Sequence, residues 1–502
     1  MSRFVAWPSQ AMAPQPLTVN QARVNRRRNT RSKSLLTWLG LSLFSLFSLG
    51  CFSTPAHATT LTKTVAGTHV ATLPNGLNLI VKEDPRAPTV VHMVWYKAGS
   101  IDETNGTTGV AHVLEHMMFK GTRTIKPGEF SKRVAAMGGR ENAFTSTDFT
   151  AYFQQVHKRY LPQVMALEAD RMHNLVLSEK EFAQEIKVVM EERRWRTDDK
   201  PKSQLFETLM ATAFTASPYH APIVGWMSDL EAMTVADARR WYQDWYAPNN
   251  ATVIVVGDVR AAEVLALAQQ TYGRWPRKAL PPRKPQQEPA QLGLRRVQVH
   301  GPAETPYLLM AWKVPVLRDI EQDNDVYALS VLSAILDGYE GARLTANLVR
   351  NDKIALNAGA SYDSTARGPA LFYLDGSPAP GKTVADLEQA LRAQITQIAQ
   401  QGIREEELQR VKAQLIAARV YKQDSNMGQA MEIMQLEMTG IPHTASDRLL
   451  EKIRAVTPAQ VQAVARNYFI DAHLTIGELV PEPIDPANPS KTRAKSRPNF
   501  RH

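Results

Sequence analysis

Cysteine is almost missing from this sequence: the 502 residues hold one, Cys51. It lies in an N-terminal apolar run, so a chain processed beyond it would have no disulfide, no thiol nucleophile and no cysteine metal ligand. Acidic residues are absent from positions 1–58, which carry Arg3, Arg23, Arg26, Arg27, Arg28, Arg31 and Lys33. The rest of the chain has 52 basic against 49 acidic side chains, so the formal +10 comes mostly from one end. A nearly balanced folded region gives no support for nucleic-acid binding, which needs a clustered basic face. No segment after residue 58 is apolar enough to span a membrane. What remains is ordinary globular composition, 44% hydrophobic and 22% charged. The length exceeds the ~250–300 residues of a single core, so at least two packed units are expected.

The N-terminus has the layout of an export signal. Basic residues at 26–33 precede an apolar, serine-interrupted run at 35–52, then Pro55-Ala56-His57-Ala58, a small-residue cleavage site. Cleavage after Ala58 would make Thr59 the first residue and place the protein in the periplasm or outside the cell. The competing readings are an uncleaved anchor and, at Gly50-Cys51, a lipoprotein site. The serines and the A-x-A site favour cleavage, and Ser48-Leu49 fit a lipoprotein site poorly. At the other end, residues 481–502 form a tail with Lys491, Arg493, Lys495, Arg497 and Arg501 among Pro and Ser, expected to be disordered.

Between these ends the pattern is mixed. Residues 68–83 alternate about a Pro74-Asn75-Gly76 turn, and 90–96 read as a buried strand. Residues 109–119 place Val110, Val113, Leu114, Met117 and Met118 on one helical stripe. Ser178 and Glu181 open a second helix as a capping box, with Phe182, Ile186 and Val189 on its apolar face, expected to run past Trp195. Residues 251–257 read as a central strand. Residues 275–292, rich in Pro, Lys, Arg and Gln, read as a linker. Beyond it a strand near Val297, another at 307–312 and a helix at 325–336 repeat the order of the first unit. The expectation is a duplicated α+β unit at 59–274 and 293–480, of which only the first kept chemistry.

That chemistry centres on His112-Val113-Leu114-Glu115-His116. Positions i and i+4 share a helix face, so both imidazoles can reach one metal ion. Zinc accepts His nitrogens and a carboxylate while keeping one position for water. Glu115, beside His116, can meet that water and take its proton without being a ligand. The bland alternative is a helix with two solvent-facing histidines. A third, carboxylate ligand is expected from the helix opened by Ser178, which offers Glu185, Glu191 and Glu192. Glu185 and Glu192 lie seven residues apart, two turns along one face, so one could bind metal while the other steadies the ligands. Spacing alone does not choose among the three.

Taken together, GVAHVLEHMMFKGT at 109–122, Gly138-Gly139, NAFTS at 142–146, the 185–192 segment, SPY at 217–219 and PNNA at 248–251 make the sequence resemble the pitrilysin/insulinase family of inverted zincins, which includes the mitochondrial processing peptidases. The resemblance spans about 73–476. It implies an α+β fold of two homologous domains, each a mostly antiparallel sheet packed against helices. It implies a zinc-dependent endopeptidase in which His112, His116 and Glu192 hold Zn2+, Glu115 is the general base and Glu185 supports the site. It also implies that Asn142, Ala143, Phe144 and Thr145 form a substrate-binding edge strand for a peptide or unfolded protein segment.

Four such domains enclose a chamber in the family, so a two-domain chain implies a second chain. The family's substrate-holding Arg and Tyr, seven residues apart, fall here on Arg350 and Asn357. With Asn in the tyrosine's place, a heterodimer with a related chain lacking H-x-x-E-H is expected, a homodimer being the alternative. Tyr362 is another tyrosine nearby, at a spacing the pattern does not support. The competing function is a non-catalytic scaffold or peptide-binding subunit, against which the intact His112, Glu115, His116 and Glu192 set argues.

Overall fold

A computed structural model describes residues 59–64 and 67–484. The segment read as an export signal and most of the segment read as a basic tail lie outside the described residues. Seven strands form the first sheet: β1 (Thr62–Lys63), β2 (Thr68–Thr72), β3 (Asn78–Glu83), β4 (Thr89–Tyr96), β5 (Arg140–Thr145), β6 (Thr150–His157) and β7 (Ala251–Gly257). Five form the second: β8 (Arg295–Pro302), β9 (Tyr307–Val314), β10 (Ala355–Tyr362), β11 (Ala370–Pro378) and β12 (Leu474–Glu482). The sheet orders are β1-β2-β3-β7-β4-β6-β5 and β8-β12-β9-β11-β10. β3/β7 and β8/β12 are the parallel pairs, and the other pairings are antiparallel. The last five strands of the first sheet thus match the second, strand for strand. The chain is a duplicated α+β unit, with the helix Val110–Met117 following β4 as Asn324–Asp337 follows β9.

Both sheets are buried on two faces, which explains the continuous apolar runs in their central strands. In β4, Val90, Val94 and Tyr96 face one core while Val91, Met93 and Trp95 face another. This is the period of two that a strand imposes. The first face is covered by helices of the same half. The second is covered by Asn426–Thr439 from the far half, through Ala430, Ile433, Met434 and Met438. The exchange is mutual: Pro201–Ala213, from the first half, sets Leu205, Phe206 and Leu209 against Leu309, Ala311, Leu371 and Leu479 of the second sheet. Packing therefore crosses the 59–274 and 293–480 division read from the sequence.

Several local expectations change. Residues 275–292 have no regular structure, but they are not a free tether. Glu288 accepts the backbone N–H groups of Thr215, Ala216 and Ser217 and pairs with Lys313 at 2.8 Å. Asn75 donates to the carbonyls of Tyr272 and Trp275. The helix opened by Ser178 ends at Arg193 and widens into a π turn, Arg194–Asp198, rather than continuing as α-helix past Trp195. Ser178 caps it through the Glu181 N–H, the only half of the capping box recorded. β12 pairs through Glu482, so strand pairing extends two residues into the segment assigned to the tail.

Leu209 has no exposure and belongs to the exchanged helix. Leu209→Ala should lower stability by about 2–5 kcal/mol. Because the two sheets share covering helices, urea melts followed by fluorescence and by far-UV dichroism should superimpose in a single transition. Two resolved transitions would show that the halves fold independently.

Candidate metal and catalytic site

The helix Val110–Met117 is buried along its whole length, so its ionisable side chains face protein and not bulk water. This removes the reading of two solvent-facing histidines. Its start is fixed in space: Gly109 has φ 86°, and a Cβ there would lie 2.5 Å from the Val224 carbonyl oxygen. Glu103 accepts the N–H groups of Gly109 and Ala111, both at 2.8 Å, satisfying orphan donors at the helix N-terminus. Burial pushes the Glu103 carboxyl up to about 8, against those two hydrogen bonds.

Val113, Leu114 and Met117 enter the core, and His112 and His116 are left on the face opposite the helix Glu179–Arg193. Their rings meet edge-on, 4.8 Å apart. Glu192 Oε2 lies 3.7 Å from His112 Nε2 and 3.3 Å from His116 Nε2. Glu185, two turns earlier, takes the other side of the same ring, with Oε1 2.8 Å from His116 Nδ1. Lys120 Nζ holds Glu185 Oε2 at 2.5 Å. His116 therefore sits between two carboxylates whose seven-residue spacing matches its two nitrogens. With Nδ1–H given to Glu185, Nε2 is the nitrogen left to meet a metal.

Among the described residues His112, His116 and Glu192 are the group of three donors able to hold a metal ion, with ligand atoms within 4.8 Å of one another. Tetrahedral ligands at ~2.0–2.2 Å lie ~3.3–3.6 Å apart, which the two His–Glu192 separations approximate. The donor set fits zinc. Glu192 is also gripped from outside, Arg196 reaching Oε1 at 2.5 Å from the π turn. Burial opposes its charge, but His116, His112 and Arg196 outweigh that and hold its carboxyl at about 2. Glu191 instead faces outward and pairs with Arg194 at 3.1 Å.

Glu115 lies beside this group, and burial raises its affinity for a proton. Its Oε2 accepts the Thr145 hydroxyl at 2.6 Å. Thr145 ends β5, which among the described residues pairs only with β6 and so forms one edge of the sheet. Of the residues expected on that edge, Asn142 is exposed, Ala143 is buried, and Phe144 packs on Phe149 and Phe153. The Asn142 side chain accepts the N–H of Ala143, at 2.9 Å. Thr145 is bound to Glu115 as well as to the edge, a contact spacing could not reveal. Lys120 and Glu103 were likewise missed. Only the reach from Glu192 to Arg196, four residues on, carried a helical signal.

The remaining two positions are in the second half. Arg350 is half exposed and pairs with Glu340 at 2.8 Å. Asn357 is exposed on the edge strand β10. Tyr362 does not take its place: its hydroxyl donates to the Pro315 carbonyl at 2.6 Å and its ring stacks on Phe372.

Residues 78–225 match the family described as Insulinase (Peptidase family M16), and residues 232–415 match the Peptidase M16 inactive domain. The zinc protease PqqE of Helicobacter pylori is 31% identical over 418 residues, covering 82% of this chain and 92% of that protein. The crystal structure of a protease from Helicobacter pylori superposes with a TM-score of 0.79 at 30% identity, over 84% of this chain and all of that one. The first half of the periplasmic protease PqqL from Escherichia coli gives 0.71 at 20% identity, over 88% of this chain and all of that one.

The three glutamates can be told apart by metal content after dialysis against buffered zinc. Glu192→Gln should lose the metal and Glu191→Gln should keep it. Glu185→Gln should bind about 10–100-fold more weakly, as expected when a ligand's outer partner is removed. Stoichiometric zinc in Glu192→Gln with loss in Glu191→Gln would reverse the assignment.

Proposed function

Because the chain belongs to the insulinase family, peptidase family M16, we propose that it is a zinc-dependent endopeptidase acting on peptides or unfolded protein segments. The observation that carries this reading is Glu115, buried and oriented by Thr145 beside the cluster of His112, His116 and Glu192. Zinc held by those three residues would polarise the scissile carbonyl and acidify the attacking water. The Thr145 hydroxyl donates to Glu115 Oε2 and fixes the carboxylate, which takes the water's proton and returns it to the leaving amine. Glu185 and Lys120 hold the His116 ring in the ligand orientation, and Arg196 keeps Glu192 ionised. The open side of β5 would accept an extended segment by main-chain hydrogen bonds, Asn142, Ala143 and Phe144 flanking it. A folded substrate cannot add such a strand, which favours flexible chains. Export with removal of residues 1–58 would deliver this region alone to its place of work.

Glu115→Gln should retain stoichiometric zinc and lose peptide cleavage, because an amide cannot take the proton. His112→Ala and His116→Ala should lose both. Metal analysis beside a quenched-peptide assay separates the classes. Wild-type turnover by Glu115→Gln would refute the mechanism, and a zinc-loaded wild type inert on every peptide would favour the non-catalytic subunit.

The partner follows from the second half. Arg350 is present but Asn357 stands where the family carries a tyrosine, and Tyr362 is committed elsewhere. We therefore expect the chain alone to be weakly active and a related chain supplying both residues to raise turnover by about 10²–10³, the usual worth of one lost oxyanion donor. Mass in solution and turnover, measured before and after adding such a chain, decide it. A highly active homodimer that neither the partner nor Asn357→Tyr improves would count against the heteromer.

A further inference from the structure

One contact between the halves grips the site without touching its chemistry. Arg367 lies in the connection between β10 and β11 and is largely buried. Its guanidinium forks onto Asp102, Nη1 to Oδ2 at 2.8 Å and Nη2 to Oδ1 at 2.9 Å. Nη1 also donates to the Asp148 carbonyl at 2.7 Å, and the Arg367 N–H donates to Asp148 Oδ2 at 2.9 Å. Tyr219 completes the knot, donating its hydroxyl to Asp148 Oδ1 at 2.6 Å and accepting the Gly368 N–H at 2.9 Å. A bidentate pair of this kind fixes direction as well as distance.

The two segments it holds are those that set the active geometry. Asp148 lies in the turn from β5 into β6, three residues after Thr145. Asp102 lies in a segment whose next residue, Glu103, caps the His112 helix. The same segment is laced to the turn by Ser100 N–H to Ser146 O at 3.3 Å and Ile101 N–H to Thr147 O at 2.8 Å. Their approach is so close at Gly99 that a Cβ would lie 2.5 Å from Phe149 N and from Thr147 O. From Arg367, then, one route runs through Asp148 to Thr145 and another through Asp102 to the helix start.

We infer that Arg367 is a positioning residue: it lets the second half hold the docking strand in register with the His112 helix, so that Thr145 stays on Glu115. This rests on the peptidase reading, and misplacement of the base by as little as ~1 Å is enough to cost rate. Arg367→Ala, Thr145→Val and the double variant are compared in the full mature chain, with whatever partner supports turnover. All three should keep stoichiometric zinc. Arg367→Ala should lower kcat by about 10–100-fold, and much less, about 3-fold or under, when Thr145 is already Val, since residues acting through one contact are not additive. Equal losses in both backgrounds, or full kcat in Arg367→Ala, would overturn the proposal.

Hydrogen exchange supplies a readout independent of turnover: Arg367→Ala should accelerate exchange at amides 143–149 and leave the β8/β12 amides unchanged. If zinc-loaded wild type cleaves nothing, the peptidase reading fails, while unchanged exchange at 143–149 still refutes the role of Arg367. Should Arg367→Ala fail to fold, Tyr219→Phe removes one hydroxyl from the same knot. It should show the same coupling to Thr145→Val at smaller size, and strict additivity would refute it.

Discussion

A buried helix carrying two histidines and a glutamate is costly unless every charge it bears is answered, and that constraint organises this molecule. The helix Val110–Met117 has no solvent-facing side. Its ionisable groups are answered from three directions: the helix Glu179–Arg193 supplies Glu185 and Glu192, the edge strand supplies Thr145, and Glu103 meets the helix start. The carboxylates are in turn held by cations, Lys120 on Glu185 and Arg196 on Glu192. Burial works against a charge on His116, yet Glu185 and Glu192 outweigh it and push the imidazole up to about 9. A site so rich in negative charge favours a cation between Nε2 and Oε2, and the ligand spacing suits zinc.

The second half shows what the same topology looks like once such chemistry is absent. The helix Asn324–Asp337 occupies the place of the histidine helix and buries Val326, Leu329, Leu332 and Ile335 instead. The topology needs an apolar helix there but needs no ligands. On the proposed reading, function would reside in three positions of one helix and two of another, and the fold by itself would not disclose it.

How much was legible follows from range. The histidine helix, its apolar stripe and the Glu185–Glu192 face were readable because each depends on spacing within one helix. The duplication was readable as a repeated strand–helix order. Which glutamate would meet a metal came from family resemblance, since spacing alone could not show that Glu185 and Glu192 reach opposite nitrogens of one ring. Most contacts that escaped cross longer stretches of chain, Thr145 to Glu115, Lys120 to Glu185 and Arg367 to Asp102, while Glu103 meets the helix start from a nearby irregular segment that has no helical spacing to read. Composition marks 275–292 as a linker but could not show what pins it. Glu288 finds three backbone donors and Lys313, and its carboxyl is held at about 2 despite burial, by Lys313 and those N–H groups.

The exchanged helices explain why a half without the chemistry is not dispensable. Remove the second half and Ile80, Val91, Met93, Trp95, Ile254 and Val256 lose the helix that covers them, leaving one face of the first sheet open to water. An apolar surface of that kind is an aggregation liability. Remove Pro201–Ala213 from the first half and the second sheet is stripped in the same way, through Leu309, Ala311 and Leu479. Neither half could therefore be lost or replaced without exposing the other. With Arg367 reaching from one half to the Asp102 and Asp148 loops of the other, the interface that keeps the sheets covered also adjoins the working residues. A change in how the halves pack would reach Glu115 through only a few bonds, so stability and site geometry are controlled at the same seam.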